Sequence, residues 1–358
     1  EFETGDIKHT LLFGSEYIDS DSKNDRFTDN WVNADATVSS RVFNANGPFL
    51  VNGFGIDSDG NVSSVIFDTF NDNTDTDLTV YSFYLQDEIE LTDQLTLVLG
   101  ARFDSFDIDV TEYDENGAET NDSGSQKDEE FTPRAGLVYK PKENISLYAS
   151  YSQTFVPQSG DQFANLGTRG LDPDEFTNLE AGVKWDLADD QSVTLAIFKI
   201  EQDYVEGVAG NSRVEESEVE GFEAQYLGRI SDRWTVSAGY TYLTGENATD
   251  TVGNDRPGEL PEDSFSIWNS YQLTKKLGLG LGAIYQDEST PVGGDEFGTV
   301  PDFIRVDAAA YYQISENLRL QVNIENLLDE EYYPHAYDDH QFTVGAPINA
   351  TVSISGTF

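Results

Sequence analysis

The sequence predicts an all-β protein, a transmembrane antiparallel β-barrel with about 14 strands present. Three observations predict it. Strand-length segments alternate apolar and polar residues over most of the chain. Tight polar turns and long loops alternate as connections between them. The apolar rows are free of charge, while several polar rows carry it. Successive strand side chains face opposite sides, so each segment has one greasy and one wet face.

Taken in order, residues 7–18 (IKHTLLFGSEYI) read as the first strand. Residues 19–76 are rich in Asp, Asn, Ser and Gly and lack clean alternation. They read as a long excursion with short strands near 36–43 and 62–70. Such a length without structure is unusual inside a compact domain and ordinary at the long-loop end of a barrel. Regular strands follow at 77–91, 94–112, 128–141, 144–156, 174–188, 191–207, 212–230, 233–246, 261–273, 276–290, 301–314, 317–330 and 342–358. Tight turns fall at Thr92-Asp93, Pro141-Lys142-Glu143, Ala188-Asp189-Asp190, Ser231-Asp232, Thr274-Lys275 and Ser315-Glu316. Longer loops lie near 113–127, 157–173, 247–260, 289–300 and 331–341, and 208–211 is the short exception. The hairpin unit recurs about every 41–50 residues, near the period of a propeller blade. A blade packs four short strands into that length. Here there are two long ones, each more than the ~9–11 residues that cross a bilayer at a tilt.

The faces separate lipid from a second sheet. Trp234, Val236, Ala238, Tyr240 and Tyr242 alternate with Thr235, Ser237, Gly239 and Thr241. Leu277, Leu279, Leu281, Ala283 and Tyr285 alternate with Gly278, Gly280 and Gly282. Ile304, Val306, Ala308, Ala310 and Tyr312 oppose Arg305 and Asp307. In the last strand Ile348, Ala350, Val352, Ile354 and Phe358 form the apolar row. A soluble sandwich can show this pattern, but rarely over so many long strands. A wet lumen accepts charge on the inner face, and lipid does not. Asp87 breaks the rule, in phase with Tyr81, Phe83, Leu85 and Ile89. A bulge that re-aims it, or a place above the bilayer, would account for it. Residues 106–110 flip phase relative to 95–103, as expected of a strand that rises past the lipid. Tyr139, Trp185, Trp234, Trp268, Tyr271 and Tyr312 sit beside the tight turns and fit an interfacial aromatic girdle.

Composition bounds the function. No apolar run approaches the ~18 residues of a membrane helix, and mean hydropathy is −0.47. Neither speaks against a barrel, whose alternation hides from hydropathy windows. There is no cysteine, hence no disulfide, thiolate metal site or Cys nucleophile. There is no methionine and no signal peptide at Glu1. With 20 basic and 67 acidic residues the net charge is −47, which excludes a nucleic-acid partner.

Six stretches then carry a resemblance: TGDIKHTLLFGSEY (4–17), YLQDEIELTDQLTLVLGARFDSF (84–106), TPRAGLVYKPKENISLYASYSQTFVPQSG (132–160), LDPDEFTNLEAGVKWDL (171–187), VEGFEAQYLGRISDRWTVSAGYTYL (219–243) and VPDFIRVDAAAYYQISENLRLQVNIENLLDEEYYPHAY (300–337), followed by the closing GAPINATVSISGTF (345–358). In this order they resemble the C-terminal barrel of TonB-dependent outer-membrane receptors, most closely ferric-siderophore receptors of the ferrichrome-receptor type. The family's N-terminal plug and its energy-coupling box are not in this sequence, and Ile348 stands where the family often has Arg. The resemblance implies that residues 1–358 are the C-terminal portion of a 22-stranded plugged barrel, with plug and first strands absent. It implies a protein of the bacterial outer membrane that is no enzyme, imports a ferric siderophore and draws energy from a TonB complex through the plug. Outer-membrane lipid and lipopolysaccharide are the implied surroundings.

No catalytic constellation stands out. The three histidines are His9, His335 and His340. His335 and His340 share a loop with Asp338 and Asp339, a spacing too unspecific to establish a metal site. Asp57-Ser58-Asp59-Gly60-Asn61 imitates a calcium loop, but Val62 stands where glycine is required and Asp68 replaces the bidentate Glu. Calcium in the outer loops is therefore an expectation only, and no cofactor is implied. The run from Asp114 to Glu130, with Lys127 its one lysine, reads as an external acidic loop. By analogy with the family, ligand is expected at aromatic and polar groups above the plug. The candidates are Tyr17, Tyr113, Phe155, Gln158, Phe163, Arg169, Tyr337, His340 and Phe342. The acidic balance points to a neutral or cationic hydroxamate complex over a trianionic catecholate. Two further readings are a passive porin-like channel and a soluble or redesigned β binding protein.

Overall fold

The computed structural model describes residues 1–28, 54–56, 62–64, 69–121, 123–157, 173–208, 211–247, 256–292, 298–338 and 341–357. Every regular element among them is a strand. β1 (Phe2–Thr4), β2 (Ile7–Thr28), β5 (Thr69–Thr92), β6 (Leu95–Glu112), β7 (Gly124–Lys142), β8 (Ile145–Val156), β9 (Asp174–Ala188) and β10 (Gln191–Val208) run in order. β11 (Asn211–Ser231), β12 (Trp234–Asn247), β13 (Asp263–Gln272), β14 (Leu277–Gln286), β15 (Phe303–Ser315), β16 (Leu318–Glu325) and β19 (Asn349–Gly356) complete one 15-stranded sheet. Each strand pairs antiparallel with its neighbour, and β1 and β19 are edges not paired with each other. Two small hairpins stand apart: β3 (Phe54–Ile56) with β4 (Val62–Ser64), and β17 (His335–Asp338) with β18 (Gln341–Thr343).

The tight turns are held by the hydroxyls that the sequence places there. Gln94 N–H donates to Thr92 Oγ1 at 3.2 Å, and Leu277 N–H to Thr274 Oγ1 at 3.0 Å. Such short side-chain bonds stabilise a turn in competition with continued strand. At Val208 and Asn211 the ladder runs directly from one strand to the next, as the short exception at 208–211 predicted.

The apolar rows lie on one face with nothing packed over them. Phe13 is 77% exposed, Phe131 62% and Ile354 65%. A soluble sandwich would bury these side chains against a second sheet, and the long strands form only one layer. Contiguous exposed rows of this kind belong against lipid or a partner.

The structure departs from the sequence-based expectations at several places. β2 continues to Thr28 and β5 begins at Thr69, beyond the predicted 7–18 and 77–91. Alternation reports burial on one face, and it stops here because both faces become polar while pairing continues. Lys23, for example, meets Asp75 across the ladder at 2.5 Å. The predicted strand at 36–43 lies outside the described residues, as does the calcium-like loop 57–61 with Asp68. The predicted last strand splits: Gln341–Thr343 forms β18, residues 344–348 are not strand, and β19 starts only at Asn349. Pro347 has no N–H for a ladder, and a Cβ at Gly345 would fall on the Tyr332 ring.

Asp87 is neither bulged nor above the apolar row. It sits in register with Leu11 and Leu99, and His9 Nδ1 donates to its Oδ2 at 2.7 Å. Phe2 stacks on the His9 ring at 4.6 Å. The charge is tolerated on the apolar face because it is paired there. Trp268 does not join the outward girdle. It lies on the opposite face, where Cβ atoms at Gly280 and Gly282 would strike its ring. The phase flip at 106–110 occurs without a bulge: Phe103 faces out, while Ile108 and Val110 are 1% and 3% exposed on the inner face.

Candidate ligand-facing surface

The inner face carries three polar knots. On β2, β5 and β6, Arg102 Nε donates to both oxygens of Asp104 at 2.8 and 2.9 Å, and Nη2 to Glu16 at 3.0 Å. Ser82, fully buried, donates to Asp104 Oδ1 at 2.5 Å. On β8 and β9, Tyr148 OH donates to Glu180 at 2.5 Å, and Lys184 lies over the Tyr148 ring at 5.4 Å. On β15 and β16, Arg305 binds Asp307 at 3.0 Å, Glu325 at 3.2 Å and the Tyr332 hydroxyl at 3.1 Å. The buried members, Ser82 and Asp104, are satisfied by the polar groups around them.

The third knot positions the mouth. β16 ends because Asn326 turns left-handed, at φ 52°. Asn326 is fully buried, and its N–H donates to Asp307 Oδ1 at 2.9 Å. Its amide nitrogen donates to the carbonyls of Glu330 and Ala346 at 2.8 and 3.0 Å, and its oxygen accepts the Glu330 N–H at 2.8 Å. Tyr332, 6% exposed, packs on Phe303 with centroids 4.7 Å apart. From this anchor the chain runs into the β17–β18 hairpin. Glu259 holds the hairpin from a neighbouring loop, accepting the Ala336 N–H at 2.9 Å and pairing with His335. The Ala336 carbonyl in turn accepts from Val292 at 3.1 Å. Three loops at the long-loop end are thus knitted together.

This hairpin presents aromatics. Tyr337 is 59% and Phe342 55% exposed, and Phe342 stands edge-on to Tyr333 at 5.2 Å. These two of the nine predicted ligand residues share one element. Tyr113 lies at the end of β6, bridged to Glu119, with its N–H on the Asn73 carbonyl at 2.9 Å. Phe155 stands edge-on to Phe106 at 5.6 Å. Tyr17 is on the apolar face, in register with Tyr81 at 5.1 Å between rings, because its position is in phase with Leu11 and Phe13. Gln158, Phe163, Arg169 and His340 lie outside the described residues. Arg305, Asp307, Asn326, Tyr332 and Glu259 were missed as a unit. Arg305 and Asp307 stood out only as charges on a polar row, and Asn at a strand end before a long loop was the one further signal. Among the described residues no group of three or more His, Cys, Asp or Glu is arranged to hold a metal.

The geometry agrees with the chain's relatives. A family model described as "TonB dependent receptor-like, beta-barrel" matches residues 2–327. A probable TonB-dependent siderophore receptor, PiuA of Acinetobacter baumannii, is 33% identical over 391 aligned positions, covering 99% of this chain and 51% of that protein. Its crystal structure superposes with a TM-score of 0.78 at 30% identity, over 99% of this chain and 54% of that one. The probable TonB-dependent receptor BfrD of Bordetella pertussis is 31% identical, with 96% and 49% covered. The catecholate siderophore receptor Fiu of Escherichia coli K12 is 30% identical over 73% of this chain and 39% of that protein. The closed form of Fiu shares the fold at a TM-score of 0.80, over 100% of this chain and 53% of that one. The chain spans about half the length of PiuA and BfrD. With the uncovered apolar face and the single antiparallel sheet, these matches place the chain in the TonB-dependent receptor β-barrel family, a family of outer-membrane barrels.

Proposed function

We propose that this chain is the C-terminal barrel portion of a receptor that imports a ferric siderophore, with a plug and further strands supplied by the rest of the protein. The observation that carries the reading is the match to PiuA over 99% of the chain. The knitted mouth supports it, because it offers exposed aromatics on an anchored hairpin. In this reading a TonB complex supplies energy through the plug, and lipid and lipopolysaccharide meet the apolar face. A passive porin or a redesigned soluble protein does not fit the family.

The siderophore is proposed to carry catecholate groups, as the name of the relative Fiu suggests. The hydroxamate preference drawn from net charge has no counterpart in the named relatives. Net charge is a whole-chain quantity, and charges more than about 8 Å apart in solvent are largely screened. Several acids, such as Glu129, Glu201 and Glu218, neutralise nearby lysines. The test is tryptophan fluorescence of the full-length receptor in detergent. It is titrated with a ferric tris-catecholate and with a ferrichrome-type hydroxamate. Tighter catecholate binding is expected. Preference for the hydroxamate defeats the catecholate assignment, and no response to either defeats the siderophore reading.

A further inference from the structure

The basic residues of the described chain fall into two sets. Many are neutralised by carboxylates on the same or a neighbouring strand: Lys8 by Glu90, Lys23 by Asp75, Arg102 by Asp104 and Glu16, Lys199 by Glu218, Arg305 by Asp307. In a chain with 67 acids and 20 bases that is the expected condition. Lys275, Lys276 and Arg319 depart from it. Among the described residues none of the three has a carboxylate partner, yet they converge on one recess of about 590 Å³. No acidic side chain lines that recess.

The recess lies on the inner face at the tight-turn end, across β13 to β16. Gln272 pairs with Gly278, Gly278 with Tyr311, Tyr311 with Gln321, and Gln313 with Arg319, so one level of four strands builds it. The Arg319 guanidinium lies 4.6 Å over the Tyr311 ring, which fixes its plane. Gln272 and Gln313 spend their amide N–H groups on the turn carbonyls of Thr274 and Ser315, at 2.6 and 2.7 Å. The ammonium groups and the guanidinium are therefore the principal free donors. Three cationic side chains line one recess with no carboxylate among its lining, so the recess favours an anion, most strongly at low ionic strength.

We propose that this recess binds a multiply charged oxyanion, through charge-assisted bonds from two ammonium groups and one guanidinium fork. The anionic oxygens have two possible sources: free phosphate, or carboxylates of another segment of the full-length protein. This site is separate from the siderophore-facing mouth at the opposite end of the strands.

The experiment titrates inorganic pyrophosphate into the full-length receptor at low ionic strength, by calorimetry, beside the triple variant Lys275→Gln/Lys276→Gln/Arg319→Gln. One saturable site is expected in the natural protein, weakened about tenfold or more in the variant. If carboxylates of the protein already fill the recess, pyrophosphate finds no site. The variant then unfolds at a lower temperature than the natural protein in low salt, and the gap closes in high salt. Equal pyrophosphate binding by both proteins overturns the proposal. So does the absence of binding together with identical unfolding at low salt. All three residues are exposed, so the variant is expected to fold, and siderophore quenching on the same samples reports the separate question of the mouth.

Discussion

Asn326 shows what a single side chain contributes to the mouth. It is fully buried, holds φ at 52°, and its amide makes three of the bonds that turn the chain from β16 toward the hairpin. Asn326→Ala removes those bonds, strands two carbonyls and places a Cβ residue without polar help in the left-handed region. The expected cost is about 2–3 kcal/mol, read as a lower unfolding temperature of the full-length receptor. Asn326→Gly relieves the backbone but not the lost bonds, so it should fall between. A neutral alanine variant would mean that the knot contributes nothing. His9 and Asp87 pose a second residue-scale case, a polar pair on a face otherwise given to apolar groups. His9→Leu alone leaves a carboxylate without its donor, at a cost of about 1–3 kcal/mol. His9→Leu with Asp87→Leu removes both partners and should recover most of that loss. A double variant less stable than the single one would refute this account. The sequence exposed Asp87 as an anomaly but hid its solution. Cross-strand pairing with His9, 78 positions away, depends on register.

At the scale of elements, periodicity located nearly every strand and failed where burial no longer alternates. Apart from Phe27 and Phe70, the outer ends of β2 and β5 are charged or polar on both faces, so alternation does not distinguish paired strand from loop there. Trp268 failed for the converse reason. Its neighbourhood predicts an interface, but its own parity points inward, onto Gly280 and Gly282. Gly280 and Gly282 of β14 are thus explained as room for one indole. Gly280→Val should force that ring aside at a cost of about 1–3 kcal/mol and shift its emission. Unchanged emission and unchanged stability would show that the indole does not need the space. The loop between β6 and β7 supplies a pH test. N–H groups of Ala118 and Asn116, at 2.8 and 2.9 Å, hold the Asp114 carboxyl below its ordinary value of 3.8. A depressed folded value means that the loop's stabilisation is complete above 3.8 and fades as pH falls through the lower folded value. Amide shifts of Asn116 and Ala118 should therefore move together in acid, and Asp114→Asn should abolish that transition. Shifts that ignore Asp114 would remove the cap from the account.

For the molecule as a whole, the class was legible because lipid imposes its demand on every strand at once. A charge-free row must recur at period two along each crossing. The mouth was far less legible. Its aromatics sit in loops without a period, and the Glu259 and Val292 contacts to Ala336 join segments far apart in the chain. Ligand class was the least legible, since net charge averages over faces with different neighbours. The same global view leads to a prediction about the isolated 358-residue chain. The sheet has two edges, and the β19 edge is exposed at every residue, with Val352 63% and Ile354 65% exposed. An unpaired edge offers a row of N–H and C=O groups, and in a low-dielectric surrounding each unpaired group costs more than it does in water. Edges of this length, flanked by apolar rows, should pair with whatever strand is available. Refolded alone in detergent, the chain is expected to self-associate beyond a monomer, as read by light scattering corrected for detergent. In the proposed full-length receptor, further strands should suppress that association. A monodisperse monomer of the isolated chain would show that these edges are satisfied without partners.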